Sequence, residues 1–375
     1  MRVLRIDESS PYRQLVGIGG LGTGIFFELE DDHTLGRNES RPARLLDVRD
    51  YCKLHIVLHH VAKLLGAQAS GRPFHVVPVG KVGDDAAGRR VIGEMESVGI
   101  DVNRVSVISS SPTLFSVCFQ YPDGTGGNIT TSNSAADTLC EGDIAGIAEL
   151  LSTGGRRVIA LAVPEVPLRV RRHFLEMASR TEAFCAASFV AAEIQPTREA
   201  GMFELLDLVA LNEGEAEILV GQSFSPDFPE PFLQACRQLI RNSYPTLKMI
   251  VSAGNAGAYG ITDRICNFCP APEVAVLSTA GAGDALLGGV LAAMAAGIPF
   301  VHPNCSSDTG QPIQTALQLA VLLASYKCQS PHTISPTADA DALVKFARDA
   351  GFVFAPEVDS LFVEAKPKQV LMEGV

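Results

Sequence analysis

The feature that most constrains this chain is a run of small and apolar residues at positions 278–297, Ser-Thr-Ala-Gly-Ala-Gly-Asp-Ala-Leu-Leu-Gly-Gly-Val-Leu-Ala-Ala-Met-Ala-Ala-Gly. Its length and composition predict a buried helix over 283–296 that begins after a glycine-rich turn. The first N–H groups of such a helix lack partners within the helix, and the helix dipole adds partial positive charge there. Because glycines let a backbone approach a ligand closely, we expect a phosphate-binding site at this helix start.

A carboxylate, Asp284, stands at the mouth of the predicted anion site. Like charges repel, so an aspartate beside a phosphate is best explained if it takes a proton from the group that attacks the phosphate. The alternative is an ordinary helix start with an acidic first turn, and for an isolated Gly-x-Gly-Asp that interpretation is the better one. Here, however, the motif is longer, and other matching segments precede it.

Three earlier segments agree with one known family. They are Gly-Lys-Val-Gly-Asp-Asp at 80–85 with Gly-Ile-Asp-Val at 99–102, Asn-Glu-Gly-Glu-Ala at 212–216, and Val-Ser-Ala-Gly at 251–254 followed by Gly257. Together with 278–297, these segments resemble the ordered motifs of the ribokinase-like (PfkB) carbohydrate kinases, whose signature is Asp-Thr-x-Gly-Ala-Gly-Asp before an apolar helix. The resemblance covers most of residues 12–350.

This resemblance implies a kinase that moves the γ-phosphate of ATP to a hydroxyl of a small molecule, a sugar or sugar-like compound, with Asp284 as catalytic base. The implied anion hole is the backbone of Gly281, Ala282 and Gly283. Residues implied to contact the nucleotide or its Mg²⁺ are Asn212, Glu215, Ser252, Gly254, Gly257 and Thr279.

Asn212 and Glu215 are implied to hold Mg²⁺ through its waters, because Mg²⁺ keeps several waters and uses few carboxylates. A purely structural alternative is a helix N-cap at Asn212 with Glu215 as its capping-box partner. One geometry could serve both purposes, and the family match favours the metal.

The chain departs from the family at the acceptor side. Gly22 and Gly24 stand where the family has the Asn and Asp that bind sugar hydroxyls, so they are the predicted substrate-binding positions. Ser278 replaces the first Asp of the signature, which contributes to a monovalent-cation site in some members, and this argues against K⁺ activation. Either the acceptor is unusual, or the chain is a catalytically silent or regulatory nucleotide-binding protein on the same fold.

Alternating strand-like and helix-like segments predict an α/β fold with a central, mostly parallel sheet covered by helices on both faces. We expect a single domain over 1–375, with lid segments at about 22–48 and 105–133 that build a small β-sheet over the acceptor. A Pro-Asp-Gly turn is predicted at 122–124. The strand-like piece at 352–354 is expected to add to the sheet, and the lid is a candidate surface for a homodimer.

A dinucleotide-dependent oxidoreductase is the more remote alternative. The run 17–22 satisfies Gly-x-Gly-x-x-Gly, but strand-like residues follow it where a helix should begin. His55 and His59 have zinc-like spacing without the metalloprotease Glu, and Cys266 and Cys269 form a single Cys-x-x-Cys pair, so we interpret both as incidental.

Composition and charge argue against several other classes of protein. A net charge of −12 disfavours a nucleic acid or an anionic membrane as the main partner, but not ATP held by a local backbone site. Nine cysteines and a polar beginning of the chain predict a reduced, cytoplasmic protein. The apolar run at 285–298 is shorter than the roughly 20 residues of a membrane span.

Overall fold

The computed structural model describes residues 1–122, 126–303 and 312–365. Its helices are α1 (Lys53–Leu65), α2 (Ala86–Ser97), α3 (Glu141–Ile144), α4 (Ile147–Gly154), α5 (Leu168–Arg180), α6 (Ala191–Glu199), α7 (Glu213–Val220), α8 (Glu230–Ser243), α9 (Ala282–Ala295), α10 (Ala316–Cys328), α11 (Ala340–Asp349) and α12 (Pro356–Asp359). Its strands are β1 (Arg2–Leu4), β2 (Gln14–Ile18), β3 (Gly22–Leu29), β4 (Ala43–Tyr51), β5 (His75–Gly83), β6 (Val105–Ile108), β7 (Leu114–Gln120), β8 (Gly126–Thr130), β9 (Val158–Ala162), β10 (Phe184–Ser188), β11 (Leu208–Asn212), β12 (Lys248–Ser252), β13 (Gly257–Ile261), β14 (Cys266–Pro270) and β15 (Phe362–Glu364).

The central sheet has the strand order β14-β13-β12-β11-β10-β9-β2-β5-β6. From β12 to β6 every neighbouring pair is parallel, whereas β13 and β14 are added antiparallel at one edge. Parallel strands need crossover connections, and helices supply them here. The predicted mostly parallel sheet is therefore confirmed.

Helices cover both faces of this sheet, and each face has its own hydrophobic core. In β9, Ile159 and Leu161 pack into one core, and Ala160 packs into the other. Helices α1, α2 and α9 to α12 contribute to the first core, and α3 to α8 contribute to the second. Because strands such as β9 are buried on both faces, their sequences are continuous apolar runs and do not alternate between apolar and polar residues.

A smaller, separate sheet is formed by the two segments predicted to build a lid, with strand order β4-β3-β7-β8. Strands β3 and β4, from the first of these segments, pair antiparallel, and β7 pairs parallel to β3 and antiparallel to β8. Of the turn predicted at 122–124, Asp123 and Gly124 lie outside the described residues. The lid as a dimer surface and the single-domain boundary stay predictions.

The prediction that 352–354 adds to the sheet is wrong. Phe354 forms only an isolated parallel bridge with Ile313, outside any named strand. Strand β15 further on pairs with β1 in a separate two-stranded sheet. Both edges of the large sheet are already formed, by β14 and β6.

The glycine run at 17–22 connects β2 to β3 and does not open a helix. A Cβ atom at Gly19 would overlap Val163, and one at Gly20 would overlap Glu165. These glycines therefore let the β2–β3 connection lie against the segment that follows β9, as expected for a glycine-rich strand exit.

Helix α9 lies between α1 and α10 and is buried along nearly its whole length. A Cβ at Gly288 would lie 2.9 Å from the Val57 carbonyl oxygen on α1. On the other side, a Cβ at Gly289 would lie 2.9 Å from the Ala320 Cα on α10. The adjacent glycines thus set how closely the two neighbouring helices approach α9.

The other candidate sites have structural explanations. His55 lies buried on α1 in ring contact with Tyr51, and burial lowers the pKa of His55 to about 3 and of His59 to about 4. Cys266 and Cys269 lie on the edge strand β14. Among the residues described, no cluster of three or more His, Cys, Asp or Glu could hold a metal ion, and no helix is long and apolar enough to cross a membrane.

The α1–α9 contact can be tested by replacing Gly288 with Val. The added side chain meets backbone that must move, so we expect unfolding free energy to fall by about 1–3 kcal/mol. The control is Gly93→Val on α2, where a Cβ has no neighbour within 4 Å. Because Gly and Val differ little in helix propensity, the control should change stability by less than about 0.5 kcal/mol. Equal denaturant midpoints for the two variants would contradict the packing argument.

Candidate active site

Strand ends bring several predicted residues to one edge of the central sheet. Asn212 ends β11, Ser252 ends β12, and the two are register partners. The chain then turns, with the Ala253 N–H donating to the Gly257 carbonyl at 2.8 Å. The carboxyl ends of parallel strands are where α/β folds bind ligands.

The loop before α9 has the features of an anion site. Gly281 is the N-cap and has φ = 79°, a left-handed conformation that favours glycine. The Ala282 N–H donates to the Thr279 carbonyl at 3.0 Å. Within the described ranges, the N–H groups of Gly281 and Gly283 have no protein acceptor, and the space beside Gly283 is open for at least 4 Å. Two of the three predicted anion-hole amides are therefore available, whereas that of Ala282 is engaged.

Asp284 lies in the first turn of α9 with a side chain only 13% exposed. Its carboxylate lies 3.9 Å from the Lys53 ammonium. Burial raises the pKa of Asp284, and the charges of Lys53 and Lys327 oppose that rise. A raised pKa makes this carboxylate a stronger base than an exposed aspartate.

Lys53 is a site residue that sequence reasoning did not assign. It is the first residue of α1, directly after the N-cap Cys52. The negative charge of Asp284 raises the pKa of Lys53, so the ammonium stays charged. An ammonium 3.9 Å from Asp284, at the start of α9, suits a cation that contacts a phosphate.

Glu165 is a second unassigned residue, in the segment after β9. Its backbone φ is 76°, which is uncommon for a residue other than glycine and is a form of strain that clusters at functional sites. One oxygen accepts the Lys53 N–H at 3.3 Å, and burial raises the pKa of Glu165 to about 7. The only sequence signal for Glu165 is its place beyond the carboxyl end of a buried strand.

Asn212 and Glu215 form a complete capping box at the start of α7. The Glu215 N–H donates to Asn212 Oδ1 and the Asn212 N–H donates to Glu215 Oε2, both at 2.8 Å. The structural alternative considered for these residues is thus realised. Burial raises the pKa of Glu215, and the charges of Lys53 and Asp284 also act on it.

The same pair fits a water-mediated Mg²⁺ site. The capping bonds use one oxygen of Glu215, which leaves its other oxygen for a metal-bound water. Hydrated Mg²⁺ needs only one or two carboxylates because phosphates and waters complete its shell.

The two predicted acceptor positions, Gly22 and Gly24, are buried in β3. A Cβ at Gly22 would overlap the Leu114 backbone, and one at Gly24 would overlap the carboxylate of Asp50 and the hydroxyl of Ser116. The volume of a side chain at position 24 is therefore taken by Asp50, which extends from the neighbouring strand β4.

Asp50 is only 4% exposed, and it accepts hydrogen bonds from Ser116 Oγ at 2.7 Å and Cys118 Sγ at 3.4 Å. Burial raises its pKa. Its charge also acts on Cys52, the residue before Lys53. The small sheet thus carries a buried carboxylate that sequence analysis did not single out.

The remaining positions predicted to contact the nucleotide differ in their exposure to solvent. Gly254 and Thr279 are exposed, and the Thr279 carbonyl supports the turn before α9. Gly257 has φ = 128°, and a Cβ there would overlap the Cys269 carbonyl, so glycine is needed for the β13–β14 contact. Their roles at a nucleotide stay predictions.

Comparison with known proteins identifies the family to which this chain belongs. The family model described as "pfkB family carbohydrate kinase" matches residues 60–340. The chain therefore belongs to the pfkB family of carbohydrate kinases, and its fold is ribokinase-like.

Two curated relatives and one solved structure illustrate the similarity. A ribokinase of Dictyostelium discoideum is 24% identical over 231 residues, 59% of this chain and 71% of that protein. Fructokinase-1 of Zea mays is 26% identical over 223 residues, 57% of this chain and 66% of that protein. The structure of a ribokinase from Cryptococcus neoformans var. grubii serotype A in complex with ADP is 19% identical, covers 89% of this chain and 99% of that chain, and has a TM-score of 0.71.

The substitution Glu215→Gln can distinguish the capping role of Glu215 from a role in metal binding. Glutamine keeps the capping box, so the melting temperature should not change, but it loses the charge that orients metal-bound water. We expect the Mg²⁺ concentration for half-maximal nucleotide binding to rise about tenfold or more. Calorimetric titrations of ADP at a series of Mg²⁺ concentrations measure this.

The matched control is Glu213→Gln, which removes a carboxylate from the same first turn of α7. It should leave the Mg²⁺ requirement unchanged. If Glu215→Gln and the wild type need the same Mg²⁺, the carboxylate serves only as a cap.

Proposed function

We propose that this chain transfers the γ-phosphoryl group of ATP to a hydroxyl of a small sugar or sugar-like molecule, in a Mg²⁺-dependent reaction with Asp284 as base. One observation carries the proposal. Asp284 directly follows Gly283 at a helix start where, within the described residues, the N–H groups of Gly281 and Gly283 have no protein acceptor, and its carboxylate lies 3.9 Å from the Lys53 ammonium. This is a proton acceptor beside an anion site, which phosphoryl transfer requires.

Each group has a distinct part. Asp284 accepts the proton of the attacking hydroxyl, and its raised pKa favours that transfer. The amides of Gly281 and Gly283 donate to the oxygens of the moving phosphoryl group, and Lys53 offsets its charge. Asn212 and Glu215 would hold the waters of Mg²⁺, which supplies further neutralisation of the phosphates when bound.

The acceptor pocket is proposed to use Glu165 and Asp50. Carboxylates accept hydrogen bonds from sugar hydroxyls, and both are shielded from water, where such bonds are strongest. The two relatives bear the names of kinases for different sugars. We therefore propose the sugar class and derive its contacts from this chain's own carboxylates.

Glycine at positions 22 and 24 favours the alternative of a nucleotide-binding protein without catalysis, because the family's acceptor contacts are absent there. Asp50 weakens that alternative, since it brings a carboxylate to the volume beside Gly24. An intact base and open amides also support a working kinase.

Asp284→Asn should abolish phosphoryl transfer and leave nucleotide binding in place. The amide is close to isosteric but accepts no proton at neutral pH, and loss of a general base costs about 10²–10⁴-fold in rate. The measurement is ADP release across a panel of sugars and sugar-like alcohols, with ADP affinity measured in parallel. Full turnover by the variant would refute Asp284 as base. ADP binding without turnover by the wild type on any acceptor would favour the silent alternative.

Glu165→Gln should weaken acceptor binding. A hydrogen bond to a charged group contributes about 1.5–3 kcal/mol, so acceptor KM should rise about 10- to 100-fold while the KM for ATP changes little. The control is Glu182→Gln, since Glu182 also has a positive φ of 58° but lies on the surface, paired with Arg156. An unchanged acceptor KM in Glu165→Gln would remove this residue from the pocket.

A further inference from the structure

Lys327 is a fully buried lysine, an uncommon residue in a protein interior. It lies in the last turn of α10, and its side chain has no exposed surface. Removing an ammonium from water is costly unless hydrogen bonds or opposite charges compensate. Burial lowers the pKa of Lys327 to about 8, which reflects that cost.

The Lys327 ammonium is directed at the segment that leads into the anion site. Its Nζ donates to the Ser278 carbonyl oxygen at 3.0 Å. Within the described residues no carboxylate lies at ion-pair distance from it, and the charges of Asp284 and Asp50 act on it from farther away. The Lys327 ammonium is therefore held by the carbonyl of Ser278, three residues before Gly281, in the segment that leads into the anion site.

The end of α10 holds the same segment by its backbone. The N–H groups of Leu277 and Ser278 both donate to the Cys328 carbonyl, at 2.8 and 3.2 Å. The Ser278 hydroxyl in turn accepts the Ala280 N–H at 3.3 Å. Lys327 thus adds a charged contact to a segment whose position determines where the Gly281 and Gly283 amides point.

The residues present do not fit a bound monovalent cation at this place. Such a cation needs several oxygen ligands, yet Ser278 supplies no carboxylate and its carbonyl oxygen already accepts the Lys327 ammonium. A second positive charge beside that ammonium would be repelled. The chain therefore carries a covalently attached cation where a bound K⁺ is expected in some family members.

We propose that Lys327 is a built-in replacement for a monovalent cation, which positions the 278–281 loop and adds positive charge behind the transferring phosphoryl group. Lys327 is a positioning residue, since it acts through Ser278 and does not touch substrate. The proposal rests on the proposed kinase function for its catalytic part, but its cation-binding part can be measured without turnover.

The first test uses the wild-type protein. Its melting temperature, ADP affinity and turnover should be the same in potassium, sodium and choline chloride at equal ionic strength. Specific stabilisation or activation by K⁺ would overturn the proposal. If no acceptor is turned over, the kinase function fails separately, and melting temperature and ADP affinity still decide the role of Lys327.

The second test uses two substitutions at the same position. Lys327→Ala leaves a space beside the Ser278 carbonyl, so ADP affinity and turnover should fall, turnover by about 100-fold, and ammonium or potassium chloride should restore at least a tenth of the loss. Lys327→Met fills that space without charge and should show the fall without rescue. A purely structural role predicts no difference between ammonium, potassium and sodium in either variant.

The control is Lys63→Ala on α1, which removes a partly buried lysine near Asp339, away from the site. It should show no selectivity among these salts. If Lys327→Ala does not fold, Lys327→Met and the wild type decide the question, because wild-type turnover and ADP affinity in Lys327→Met would also overturn the proposal.

Discussion

The close packing of α9 between α1 and α10 is the constraint on which the site depends. Gly288 and Gly289 lack the side chains that would keep the neighbouring helices apart. Because α1 can approach, Lys53 at its first turn reaches Asp284 at the first turn of α9. Because α10 can approach, Lys327 in its last turn reaches the loop before α9. One pair of glycines thus assembles charges from three helices.

The site also depends on a balance of partly and fully buried charges. Burial raises the pKa values of Asp284, Glu165 and Asp50, which taken alone would favour neutral acids. The charges of Lys53 and Lys327 oppose that rise in the pKa of Asp284. In a protein with a net charge of −12, these two cations make the surroundings of Asp284 locally less negative.

Sequence reasoning succeeded where the signal was local and failed where it was not. The α9 start and the Asn212–Glu215 capping box are contained within a few consecutive residues; the first was predicted, and the second was recognised as the structural alternative to a metal site. Strand β10, Phe-Cys-Ala-Ala-Ser, gives little strand signal because its small residues have little strand preference. Helix α6 gives a weak helix signal because Pro196 lies inside it. Burial between neighbouring elements overrides both preferences.

The sequence by itself determined an alternation of strands and helices, a helix apolar on every side that must be buried, and a glycine turn with a carboxylate at its end. Only the tertiary structure decided which groups surround that carboxylate. Lys53 and Glu165 lie more than a hundred residues before Asp284 in the chain, and Lys327 lies beyond the following loop. Sequence periodicity and capping motifs reflect the geometry of a single helix or strand. The contacts around Asp284 instead form when separate helices and strand ends meet at one edge of the sheet.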